Sequence, residues 1–201
     1  MNKLFDFLKK NSTDIIKPTA VLLAICVIIP LALSLTNKIT VKKIARLEEE
    51  NSKKAMAGLI TADDFRTATV SDTEYYEAVK DGNTVGYIFK TSAKGYGGDV
   101  SVMTAVNPDG TVKSVAILDV SNETPGLGQN AAKENFYSQY AGKKKGVSLL
   151  KNGADSEKNE VDAVTGATIT STAVNRAVNE ALDEFEKLSE STNTAEVTDG
   201  E

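Results

Sequence analysis

The chain has 201 residues, 41% of them hydrophobic and 25% charged, with a formal net charge of −5. That length holds one domain plus extensions and the composition is that of a globular protein, while the acidic balance argues against nucleic acid as a partner. There is no His and a single Cys, Cys26, which excludes a His-ligated metal, a His general base, an internal disulfide and the Cys spacings of zinc or iron–sulfur sites.

Residues 1–18 form an arm with Lys3, Lys9, Lys10 and Lys17. The next stretch, Thr19 to Thr36 (TAVLLAICVIIPLALSLT), carries no charge and as a helix spans ~27 Å, enough to cross a bilayer's hydrocarbon core. Pro30 would kink it, which membrane helices tolerate. A cleaved signal peptide competes with this reading, because Ala32 and Ser34 are small residues near a possible cleavage point; the apolar run exceeds the usual ~7–15 residues of such a segment, which favours an anchor. Lys38, Lys42, Lys43 and Arg46 follow the span, so the positive-inside rule gives a near tie on orientation. A cytoplasmic arm is the orientation expected.

Residues 37–72 read as a juxtamembrane helix and linker. Lys38 to Ile60 are helix formers with a loose apolar stripe (Ile39, Ile44, Leu47, Met56), its charges forming a solvated face; no pattern is decisive from there to Ser71. From Glu74 the period switches to that of strands. Tyr75–Val79 leads through Asp81-Gly82-Asn83 into Val85–Lys90, and Gly95-Tyr96-Gly97-Gly98 breaks the chain before Val100–Val106. Asn107-Pro108-Asp109-Gly110 is a turn signal ahead of Val112–Val120. These are antiparallel hairpins with a Gly-rich crossing.

Glu123-Thr124-Pro125-Gly126-Leu127-Gly128 follows, a loop in which Pro fixes φ and two glycines permit exposed backbone amides. Gln129 to Tyr140 reads as a helix with Phe136 and Tyr140 inward, Gly142-Lys143-Lys144-Lys145-Gly146 as a solvated basic loop, and Val147–Leu150 and Glu160–Val164 as short strands. The second strand delivers Asp162-Ala163-Val164-Thr165-Gly166-Ala167-Thr168-Ile169-Thr170-Ser171. Downstream, Val174, Ala177, Val178, Ala181, Leu182, Phe185 and Leu188 recur at helical spacing. The Ser/Thr cluster therefore marks a helix N-terminus, where hydroxyls cap free N–H groups and the helix dipole favours a phosphate. Capping chemistry alone and a hydroxyl that carries a phosphate group are both open on these residues. Residues 189–201 are polar and acidic and are expected to be a disordered tail.

The string DAVTGATITS resembles the flavinylation motif of the FMN-binding domain family, with the G subunits of Rnf-type electron-transport complexes as the near match and the C subunit of the sodium-pumping NADH:quinone oxidoreductase as a more distant one. ETPGLG resembles a second motif of that family, and the segment beginning GYGGDV a third, in the family's order behind one N-terminal span. The resemblance implies an α+β fold, a single N-terminal transmembrane helix followed by an FMN-binding domain over residues 73–188, with antiparallel hairpins and packed helices. It implies FMN held covalently through a phosphoester to Thr168; around that residue, Gly166 and Ala167 leave room for a phosphate, and Thr165, Thr170 and Ser171 are expected to orient it or to cap the helix. Glu123, Thr124, Gly126, Leu127 and Gly128 are the implied contacts of the flavin, and Asp162 the recognition point for a flavin transferase. It places the flavin domain on the extracytoplasmic side, with other membrane subunits of a complex linking ferredoxin, NAD and ion pumping as partners.

No nucleophile paired with a base is evident, so the expected role is an electron relay and not an enzyme that turns over alone. A membrane-anchored sensor or binding module holding its ligand non-covalently is the rival reading, and a pilin-like subunit is disfavoured because the arm has no Gly-based processing site.

Overall fold

A computed structural model describes residues 12–70 and 73–198. Most of the basic arm and the last residues of the tail lie outside that range. The chain divides into two units, residues 1–50 and 51–201. The first holds most of helix α1 (Ser12–Leu59), in which Lys17–Lys38 is the one stretch among the described residues long and apolar enough to cross a membrane.

The second unit is built on a five-stranded antiparallel meander: β1 (Asp64–Val70), β2 (Thr73–Lys80), β3 (Asn83–Lys94), β4 (Asp99–Val106) and β5 (Val112–Asp119), in that spatial order. Its turns are those the sequence signals. Asp81 and Gly82 both take positive φ, 50° and 79°, the backbone of a two-residue hairpin that matches strand twist. Asn107-Pro108-Asp109-Gly110 closes with Gly110 N–H donating to Asn107 O at 2.9 Å. The Gly-rich segment 95–98 is a plain hairpin loop between β3 and β4, closed by Gly95 N–H on Gly98 O.

Both faces of the sheet are covered. On β4, Val100, Val102 and Val106 enter one apolar cluster while Met103 and Ala105 enter another, the period-two alternation of a strand buried on both sides. The first cluster is closed by α3 (Thr168–Thr198), whose Ala173, Val174, Ala177, Val178, Ala181 and Leu182 are all buried. The alanines let the helix come close enough for Thr91 Oγ1 to donate to Ala177 O at 2.9 Å. The second cluster is closed by Met56, Leu59 and Ile60, at and just beyond the end of α1.

Several elements differ from the sequence reading. β1 occupies what reads as linker, paired with β2 from Asp64↔Val79 to Val70↔Thr73. The helix expected over Gln129–Tyr140 is instead a 3-10 turn (Gly128–Ala132), a single α turn α2 (Glu134–Tyr137) and a second 3-10 turn (Ser138–Tyr140). The first break falls at Lys133, which takes an extended conformation with ψ 141°. β6 (Ser148–Leu150) and β7 (Glu160–Asp162) form a separate parallel pair. The basic loop is only partly solvated. Lys143 is buried, its ammonium donating to Ser156 O at 2.9 Å and Lys158 O at 2.5 Å, and Lys145 pairs with Asp183 and Glu186. Finally, α3 runs to Thr198, past Leu188 where the apolar stripe ends and where the sequence reading begins an unstructured tail; no Gly or Pro interrupts that stretch.

Candidate functional site

Three segments meet at one end of the sheet: the 95–98 hairpin loop, the loop after β5, and the turn that opens α3. Between them lies a cavity of ≈ 520 Å3, in the size range of small-molecule sites. Tyr96, Leu127 and Ile169, all exposed, are its apolar lining. Glu123, Thr124, Gly128, Gly166, Ala167, Thr168 and Thr170 complete it.

The turn into α3 is set by local chemistry. Ala167 N–H donates to Val164 O at 2.9 Å, closing a turn in which Gly166 takes φ +77°, a backbone conformation that favours glycine at that position. Ser171, fully buried, locks the turn from inside: its Oγ accepts from Val164 N–H at 2.9 Å and donates to Ala167 O at 3.0 Å. The first backbone bond of the helix is Ser171 N–H to Ala167 O, so the amides of Thr168, Ile169 and Thr170 have no intrahelical acceptor.

The hydroxyls of this segment divide sharply. Thr170 is buried and donates to Glu123 Oε2 at 2.5 Å; Ser171 is engaged as above; Thr172 donates back to Thr168 O at 2.7 Å. Thr168 is exposed, lines the cavity, and its hydroxyl makes no hydrogen bond among the described residues. Thr165 is also exposed but faces a neighbouring polar cavity of ≈ 330 Å3 bounded by Asn130, Lys133, Gln139 and Asp162.

Glu123 lies beneath the cavity at 2% exposure. Its Oε1 accepts from Gly97 N–H at 3.0 Å while Oε2 takes the Thr170 hydroxyl. The loop it begins is held by Leu127 N–H on Thr124 O and by Asn130 Nδ2 on Gly126 O at 2.6 Å. Asp162 stands apart from the cavity, at the end of β7. Its Oδ1 accepts from Ala154 N–H at 2.9 Å, and its backbone N–H and C=O both engage the Gln139 side chain.

The structure thus brings eight of the predicted residues to one cavity. Gly126 and Ser171 support its walls, and Thr165 and Asp162 line the adjacent one. Sequence reasoning passed over Tyr96 and Ile169, whose only signal was an apolar side chain inside a motif of small and polar residues.

The residues present fit FMN. Apolar side chains line a wall for a ring system, free amides at the start of α3 suit a phosphate, and one unbonded hydroxyl stands beside those amides.

Comparison with known proteins supports FMN as the ligand. The FMN-binding domain model matches residues 95–183. The G subunit of the proton-translocating ferredoxin:NAD+ oxidoreductase complex of Clostridium ljungdahlii is 33% identical over 175 residues, covering 87% of this chain and 94% of that protein. The G subunit of the Na+-translocating ferredoxin:NAD+ oxidoreductase complex of Acetobacterium woodii is 32% identical over 189 residues, covering 84% and 90%. Among solved structures, the C subunit of the Na+-translocating NADH-quinone reductase of Parabacteroides distasonis aligns with a TM-score of 0.50 at 27% identity, over 57% of this chain and 61% of that one.

Proposed function

The chain belongs to the family of G subunits of ion-translocating oxidoreductase complexes, and from that premise we propose that it is a membrane-anchored flavoprotein subunit relaying electrons through FMN esterified to Thr168. The complex it serves links ferredoxin and NAD to ion translocation. Its partners are the other membrane subunits of that complex and, during maturation, a flavin transferase that recognises Asp162. The Lys17–Lys38 stretch is its anchor, and the flavin domain stands on the extracytoplasmic side.

One observation carries the choice of residue. Of the hydroxyls around the start of α3, only that of Thr168 both lines the cavity and is unbonded among the described residues, so among those facing this cavity it alone can be modified without breaking a hydrogen bond of the fold; Thr165, exposed as well, faces the neighbouring one. When bound, FMN supplies one-electron redox chemistry. Everything else falls to the chain's own residues. Thr168 Oγ1 would be the acceptor of the phosphoryl group, its proton passing to solvent or to the transferase, and an activated phosphoanhydride of FMN as donor would balance the transfer, its nucleotide half being the leaving group. The amides of Thr168, Ile169 and Thr170, with the positive end of α3, hold negative charge at that point. Tyr96, Leu127 and Ile169 supply apolar contact and keep water from part of the cavity. A covalent tether retains the carrier on a membrane face where a dissociable one would be diluted away.

The test is intact mass and in-gel fluorescence under denaturing conditions after co-expression with a flavin transferase, comparing wild type with Thr168→Ala. A fluorescent wild-type band carrying the mass of an FMN ester, absent from a folded Thr168→Ala, is the expected result. Covalent flavin retained by the variant refutes the assignment. Flavin bound by the wild type but lost on denaturation supports instead the non-covalent binding module.

A further inference from the structure

Glu123 belongs to the loop after β5 and Thr170 to the first turn of α3, yet the two side chains are bonded to each other in the interior. Thr170 Oγ1 donates to Glu123 Oε2 at 2.5 Å, and the other carboxyl oxygen accepts from Gly97 N–H at 3.0 Å. Both residues are almost wholly buried, and among the described residues no cation lies within ion-pair distance of Glu123. These two bonds give each carboxyl oxygen one donor in the interior.

Three glycines make room for this arrangement. A Cβ at Gly95 would fall 2.4 Å from Glu123 Oε1, and one at Gly128 would fall 2.7 Å from Oε2 and 2.8 Å from Thr170 Oγ1. A Cβ at Gly97 would fall 1.9 Å from Asn122 O. The glycines of two separate loops are thus shaped around one carboxyl group. A carboxyl suits the place because it offers one oxygen to each of two donors approaching from different elements.

We propose that Glu123 and Thr170 form a latch between the 123–128 loop and the first turn of α3, and that they are positioning residues fixing where Thr168 Oγ1 stands for esterification. This rests on the proposed attachment at Thr168 and adds to it a mechanism for presenting that hydroxyl. Thr168 is two residues before Thr170 and has no side-chain bond of its own among the described residues, so its place is set by what holds its turn. Ser171 fixes the turn to the strand side through Val164, and Thr170 fixes it to the opposite wall of the cavity. Release of the second anchor lets the turn move relative to Tyr96 and Leu127, and misplacement of a nucleophile slows reaction more than it weakens recognition.

The experiment uses the full chain in detergent, without flavin, as wild type and as Thr170→Val, Thr170→Ser, Glu123→Ala and Glu123→Gln. Each is treated with a purified flavin transferase and FAD, the rate of covalent labelling is read by gel fluorescence and mass, and amide exchange is followed in parallel over residues 95–98 and 164–172. Thr170→Val keeps the volume and loses the donor. It should label about tenfold more slowly, the equivalent of one net hydrogen bond, at an unchanged KM for the protein substrate, with faster exchange at Ala167 and Ser171. Thr170→Ser should restore both. Glu123→Gln, which can still accept from Gly97 and donate to the Thr170 hydroxyl, should stay near wild type, whereas Glu123→Ala should label slowly and expose the Gly97 amide.

Wild-type rate and exchange in Thr170→Val overturn the latch, as does a Thr170→Ser variant as slow as Thr170→Val. Labelling of wild type and variants alike removes the latch and leaves the attachment reading standing. A wild type that takes no covalent flavin from a transferase active on another substrate removes both.

Discussion

Gly97→Ala is the substitution for which the structure gives the most definite consequence. Gly97 has no special φ, so strain is not the issue; space is. The added Cβ would lie 1.9 Å from the backbone oxygen of Asn122 and 2.8 Å from its carbonyl carbon. A C···O contact tolerates about 3.3 Å, so the 95–98 loop and the Asn122 backbone must separate by ~1.4 Å. Backbone cannot rotate out of the way as a side-chain tip can. The separation takes Gly97 N–H off the buried Glu123 carboxyl, leaving an unsatisfied acceptor. Overpacking costs about 1–3 kcal/mol and the lost bond roughly 1 kcal/mol more, so about 3 kcal/mol is expected. In a domain of this size that lowers the melting midpoint by about 6–12 °C. Gly126→Ala is the control. Nothing lies within 4 Å of its added Cβ, but its φ is +76°, so it should lose only the roughly 1 kcal/mol of left-handed strain. Thermal unfolding of both variants in detergent decides the matter: a Gly97→Ala loss no larger than that of Gly126→Ala means the two loops do not interlock as described.

Three further outcomes follow from buried groups. Burial pushes the Tyr140 phenol well above its ordinary value of 10.0; the folded state therefore holds that proton more tightly than the unfolded chain, and the stability so gained is present below about pH 10 and lost as pH rises above it. Tyr140→Phe, which also deletes a buried hydroxyl without a partner among the described residues, should be at least as stable near neutrality and lose less stability at about pH 11 in urea unfolding. Lys143→Met should cost about 2 kcal/mol, because the carbonyls of Ser156 and Lys158 lose their shared ammonium, and should speed limited proteolysis within residues 151–159. At Asp162, the Ala variant loses the bond from Ala154 N–H and should drop by roughly 1 kcal/mol, while Asn keeps that bond. If the carboxylate serves transferase recognition, both variants label slowly and only Ala melts early; an Asn variant labelled at the wild-type rate removes that role.

Much of the fold was legible because it depends on local chemistry. The hairpin at Asp81-Gly82, the turn at Asn107–Gly110 and the face of α3 from Ala173 to Leu182 are dictated by residues a few positions apart, and each stands where the sequence signals it. What escaped depends on partners far along the chain. β1 (DFRTATV) has mostly exposed side chains and becomes a strand through its pairing with β2 at the sheet edge. The parallel pair β6 and β7 is only three residues a side and is joined across a nine-residue loop, which no periodicity can report. Lys143 reads as one of three like surface charges, and only the fold shows that its ammonium stitches two loops together.

The site follows the same division. The sequence names the three segments that meet at the cavity, because each carries small residues and turn signals in a short string. It cannot rank the hydroxyls in Thr165–Ser171, since helix period alone leaves each of them a plausible cap. The ranking comes from tertiary contacts: Ser171 is bound to Val164, Thr170 to Glu123, and Thr165 faces the other cavity, so Thr168 remains. Glu123 changes its meaning in the same way. Read in its loop it is one of several flavin contacts, but with both oxygens bonded inside the protein it has little left to offer a ligand directly. Its effect on the cavity must then pass through the elements it joins, and that is why a change at Gly97 or Gly128, neither of which carries a functional group, should alter what happens at Thr168.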